Sequence, residues 1–141
     1  MTEEKAFIDK GIVIIMAEDD TSSYTLAEKV LRDAGIENEI LWLKDGQETL
    51  DFFYDGNSIF DEKKKYILLL DIYMPKVDGI KVLEKIKQDE ILRQNVSVIM
   101  LTIDHDPAKT SLCYELGCNA HVTKPADEGL VQAIERVAIL L

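Results

Sequence analysis

Residues 67–79 read ILLLDIYMPKVDG. Four apolar residues run directly into a carboxylate, Asp71, and Pro75 follows four positions later. The segment 66–70, YILLL, is short and continuously apolar, which fits a strand buried on both faces of a parallel sheet. A lone charge is expensive to bury. Asp71 is therefore expected at the rim of the sheet, facing partners supplied by other strands.

Working outward, the chain alternates strands and helices. IVIIMA (12–17), EILWL (39–43), VSVIML (96–101) and 120–123 read as four further strands. Helical spacing of apolar residues at 24, 27, 30, 31 and 34 predicts a helix over 21–34, ended by Gly35. Asp45-Gly46 marks a turn before a short helix over roughly 47–54. DGNSIFDEKKK (55–65) reads as a solvated connection. A helix is predicted from Gly79 to about Leu92, with Ile80, Leu83, Ile86 and Lys87 inward. Asp106-Pro107 is an N-cap and first-turn proline for a helix ending at Leu116-Gly117. The last helix spans about 127–141, with Leu130, Ile134, Val137 and Leu141 on its inner stripe and Val131, Ile139 and Leu140 off it. Trp42 is expected in the core.

Five βα units with short links predict an α/β fold: a flavodoxin-like (βα)5 doubly wound sheet of five parallel strands. The 141 residues suit a single domain over 1–141, with about 1–10 as a polar N-terminal extension. The net charge of −11 argues against a nucleic-acid or anionic membrane surface. Cys113 and Cys118 fit no common zinc spacing and are expected as free thiols in a reducing cytosol. The polar start MTEEKAFIDKG does not resemble a signal peptide, so a cytoplasmic location is expected.

In such sheets ligands sit outside the carboxyl ends of the strands. Glu18, Asp19 and Asp20 follow strand one, Asp71 strand three, Thr102 strand four, and Lys124 with Pro125 strand five. Strand two contributes nothing obvious. Crowded carboxylates repel unless a cation lies among them. Oxygen ligands without His or Cys select a hard cation, Mg2+ with Mn2+ as a substitute. Asp71 can then act as a nucleophile toward phosphorus, with the metal and Lys124 neutralising the transferring phosphoryl group.

EDD after strand one, LLLDIYMPKVDG, LT closing strand four and KP after strand five together resemble a response-regulator receiver domain of two-component signalling. The match covers nearly the whole chain. The wording is most similar to the stand-alone regulators that accompany bacteriophytochromes and hybrid kinases. The resemblance implies that Asp71 is the phosphoacceptor, loaded by a sensor histidine kinase or histidine phosphotransfer domain. It implies Asp19 as a direct Mg2+ ligand, Glu18 acting through a metal-bound water, and Tyr73 lending its backbone carbonyl. Thr102 and Lys124 would hold phosphoryl oxygens, and Met74-Pro75 and Asp78-Gly79 would shape the following loop. Asp20 falls outside the acidic pair and reads as a helix N-terminal carboxylate.

The resemblance also implies a switch in which Thr102 moves inward and an aromatic residue on strand five follows. His121 holds that position here, a departure from Tyr or Phe. A second departure is Ile103, where a small residue is usual; a branched side chain would slow phosphoryl entry and hydrolysis. His105 reads as a solvated loop residue. A changed surface would then address a downstream protein target. A homodimer would use the face of the fourth helix, fifth strand and fifth helix.

Three rivals are weaker. A haloacid-dehalogenase-type phosphatase needs a second aspartate where Tyr73 stands. A flavodoxin-like cofactor binder needs a Ser/Thr/Gly-rich loop where AEDDTSS stands. A phosphorylation-independent binding module would lack one of the key residues, all of which are present. The expected protein is a switch with self-catalysed phosphoryl transfer and slow autodephosphorylation, not a turnover enzyme.

Overall fold

The computed structural model describes residues 8–56, 59–103 and 105–141. Its strands are β1 (Val13–Ala17), β2 (Ile40–Leu43), β3 (Tyr66–Asp71), β4 (Val96–Thr102) and β5 (Ala120–Thr123). Its helices are α1 (Thr21–Asp33), α2 (Gly46–Tyr54), α3 (Gly79–Gln88), α4 (Glu90–Asn95), α5 (Pro107–Glu115) and α6 (Glu128–Ile139). The strands form one five-stranded sheet in the order β2-β1-β3-β4-β5, with every recorded pairing parallel. The expected doubly wound sheet is therefore the observed one.

The pleat sends alternate residues to opposite faces. Val13, Ile15 and Ala17 of β1 join Tyr66, Leu68 and Leu70 of β3 under α2, α3, α4 and α5. Ile14 and Met16 join Ile67 and Leu69 under α1 and α6. Strands buried on both faces explain the unbroken apolar runs in the sequence. Phe52, Phe53, Phe60 and Tyr66 close one end of the first layer as a cluster of mostly edge-to-face rings.

Three packing expectations are corrected. The single helix over 79–92 is two helices, because Asp89 adopts an extended conformation and accepts from the Ile91 and Leu92 amides, capping α4. Val82 joins Leu83 and Ile86 as the buried stripe of α3, while Lys87 runs out to Asn119 Oδ1 at 3.0 Å. In α6 Val131 is buried, whereas Leu141 is 37% exposed because the helix ends before it. Ile8 is buried against the α1–α6 layer. The rest of the 1–10 segment falls largely on residues 1–7, which lie outside the described residues. Both cysteines are free and buried. Among the described residues, no helix is long and apolar enough to cross a membrane.

Candidate functional site

Four strand ends and their loops converge at the carboxyl edge of the sheet. Asp71 is the last residue of β3 and Thr102 the last of β4, and both are buried. Lys124 follows β5, and its amide donates to the Thr102 carbonyl at 2.8 Å, continuing the β4–β5 ladder by one step. Glu18 follows β1 and is fully buried. Its amide donates to Leu43 of β2 at 2.9 Å. Asp19 is exposed beside it.

One carboxylate oxygen each from Glu18, Asp19 and Asp71 lies within 4.8 Å of the others. No His or Cys joins this group, so its donors are hard oxygens suited to a divalent cation such as Mg2+ or Mn2+. Lys124 Nζ lies 2.9 Å from Asp71 Oδ2 and also bonds Glu18 Oε1. Burial lifts the Glu18 carboxyl to about 7, helped by the neighbouring Asp71 and opposed by Lys124. Burial works against the Lys124 ammonium, but its two carboxylate partners outweigh that and raise it above its ordinary value.

The loop after Asp71 is held tightly. The Tyr73 amide donates to Asp71 Oδ1 at 3.2 Å, and the Gly79 amide donates to the Ile72 carbonyl at 2.8 Å. A Cβ on Gly79 would collide with the Asp71 carbonyl, so the N-terminus of α3 can approach β3 only with glycine there. Asp78 caps that helix through the Lys81 amide. The Tyr73 side chain is exposed, and its hydroxyl and ring both meet Lys109 of α5, with Nζ 4.5 Å from the ring centre.

The sequence-read residues Glu18, Asp19, Asp71, Thr102 and Lys124 therefore gather at one edge. Asp20 turns away, accepting from the Ser23 amide at 2.9 Å as the N-cap of α1. Its bonds to Ser23 hold its carboxyl below the usual range. His121 is half-buried on β5, registered with Met100, and its Nε2 has no hydrogen-bond partner among the described residues. Burial lowers its pKa. Ile103 is 71% exposed on the loop after β4, and His105 is exposed.

Sequence reading missed the contribution of strand two to this edge. Trp42 of β2 is half-buried rather than core, stacks on Tyr24 of α1 and donates its indole N–H to the Glu18 carbonyl at 2.7 Å. The signal available was a lone tryptophan near the carboxyl end of the strand beside β1.

Comparison with known proteins fixes the family. The model of the response regulator receiver domain matches residues 14–135. The chain belongs to the response regulator receiver domain family. Response regulator Rcp1 of Synechocystis sp. is 32% identical over 112 residues, 79% of this chain and 76% of that protein. The Mn(2+)-bound form of response regulator Rcp1 superposes with a TM-score of 0.73 at 30% identity, covering 89% of this chain and 90% of that one. The bacteriophytochrome response regulator AtBRR gives 0.72 at 31% identity, covering 87% and 89%. The phosphorylated cyanobacterial phytochrome response regulator RcpA gives 0.70 at 27% identity, covering 89% of each. Receiver domains of this family are signalling proteins that work with histidine kinases and downstream targets.

Proposed function

We propose that this chain is a cytoplasmic, stand-alone phosphoacceptor switch in which Asp71 takes a phosphoryl group from a phosphohistidine of a sensor kinase or phosphotransfer domain. The observation that carries this reading is Lys124 held at Asp71 Oδ2, beside the Glu18–Asp19–Asp71 carboxylate group. The Mn(2+)-bound form of Rcp1 and the phosphorylated RcpA, both similar in structure, support it.

A bound Mg2+ would supply positive charge against the phosphoryl oxygens. Asp19 and Asp71 would hold it directly, Glu18 through a water, and the Tyr73 carbonyl would complete the protein's share. A carboxylate oxygen of Asp71 attacks phosphorus, the bond from phosphorus to the donor nitrogen breaks, and that nitrogen leaves with the electron pair. No general base is required, because the nucleophile is already ionised. Lys124 and the Thr102 hydroxyl then each hold a phosphoryl oxygen. Water later cleaves the acyl phosphate and returns Asp71.

The output passes through the α5–β5–α6 face, the counterpart of the fourth-helix surface expected from the sequence. Thr102 and His121 are the moving parts. Tyr114 and Leu140, 52% and 85% exposed, line the hollow around His121 and offer contact area for a target or a second copy.

Beryllofluoride, a stable phosphoryl mimic, tests the reading. With Mg2+, the wild type is expected to show a protein-bound 19F signal that Asp71→Asn and chelation both remove. A bound signal that survives Asp71→Asn would reject Asp71 as the acceptor.

A further inference from the structure

Trp42 lies outside every residue set that the phosphoacceptor reading uses, yet it holds the backbone of one member. The β1–α1 connection carries Glu18 and Asp19, so the placement of its main chain fixes where both carboxylates point. Two bonds tie that connection to the edge strand β2. The Glu18 amide donates to the Leu43 carbonyl at 2.9 Å, and the Trp42 indole donates to the Glu18 carbonyl at 2.7 Å. The first is an ordinary ladder bond. The second is a side-chain bond made by the indole N–H, which is a donor only.

The ring itself is held by a stacked neighbour. Tyr24 stacks on it with centroids 4.2 Å apart and planes 6° from parallel. The Tyr24 hydroxyl in turn donates to Glu28 on the next turn of α1. Lys44 Nζ lies 5.2 Å from the indole centre. An indole clamped in this way has one orientation, and its N–H points at the loop. A bond to the main chain beside a ligand orients that ligand as an outer-shell partner does in metal sites.

We infer that Trp42 is a positioning residue for the divalent-cation site, acting through the Glu18 carbonyl and held by Tyr24. This rests on the reading of Glu18, Asp19 and Asp71 as the cation site. Trp42→Phe keeps a ring for the Tyr24 stack and removes only the donor. It is expected to weaken Mn2+ binding about three- to tenfold, the range for losing one such hydrogen bond. Tyr24→Leu, which loosens the clamp but keeps the donor, is expected to weaken it less.

The test is Mn2+ titration of the full chain followed by electron paramagnetic resonance, where free Mn2+ gives the signal and bound Mn2+ loses it. Thermal melting without metal runs in parallel, with Asp19→Asn as the control. A weakened Mn2+ affinity for Trp42→Phe at a nearly unchanged metal-free melting temperature supports the inference. Wild-type affinity in Trp42→Phe, with or without a lowered melting temperature, overturns it and leaves the cation site standing. Failure of the wild type itself to bind Mn2+ overturns the cation reading and this inference with it.

Discussion

Lys124 Nζ lies 2.9 Å from Asp71 Oδ2, joining the carboxyl end of β3 to the residue just past β5. The same ammonium bonds Glu18, which has no exposed surface. One lysine thus bridges two buried carboxyl groups that the fold presses together.

Removing that lysine leaves the two carboxylates facing each other. Lys124→Met is expected to lower the stability of the metal-free protein by about 3 kcal/mol, as for a buried pair stripped of one partner. Mg2+ should recover part of the loss. Urea denaturation with and without Mg2+ measures both, and an unaltered midpoint in chelator would count against the arrangement.

Glu18 sets a pH dependence. Its carboxyl stands at about 7 in the fold against an ordinary value of 4.5, with burial as the leading cause. Between those values the folded chain binds the proton that the unfolded chain has released. Unfolding therefore becomes easier as pH rises. The contribution is complete below about pH 4.5 and lost above about pH 7, and it is on the order of 3 kcal/mol. Stability of the metal-free protein is expected to decline across this window, and Glu18→Gln should flatten the decline. Parallel curves for the two proteins would contradict the assignment.

Gly79 is required by the close approach of α3 to β3, where a Cβ would strike the Asp71 carbonyl. Gly79→Ala is expected to cost about 2–3 kcal/mol, in the range of overpacked sites. It should also slow phosphorylation, because the displaced strand end carries Asp71. Chemical denaturation and a phosphorylation time course check the two effects separately.

How far the sequence disclosed this site follows from where each residue sits. Runs such as YILLL and VSVIML are buried on both faces, so they stand out without an alternating pattern, and the strand ends they mark carry Asp71 and Thr102. Asp20 was legible as a cap because its chemistry is local, one turn from Ser23. Trp42 was not legible, since its bond spans from β2 to the end of β1 and no sequence period encodes that contact. The break at Asp89 was hidden because no Gly or Pro separates α3 from α4, so the sequence reads as one uninterrupted helix through Leu92. Tyr73 with Lys109 is another pairing made by the fold, between residues far apart in the chain.

His121 tests the output step. In His121→Ala, phosphorylation of Asp71 is expected at the wild-type rate, while the change it produces on α5, β5 and α6 should shrink. Amide hydrogen exchange with and without beryllofluoride reads that change directly. A wild-type exchange difference in the mutant would remove His121 from the switch.

The central claim, Asp71 as a Mg2+-dependent phosphoacceptor, is tested most directly by intact mass after incubation with acetyl phosphate. The account predicts a gain of one phosphoryl group in the wild type, absent in Asp71→Asn and absent when Mg2+ is chelated. No gain in the wild type under any condition, or an equal gain in Asp71→Asn, would contradict it. The first of these results would point instead to a binding module that works unmodified.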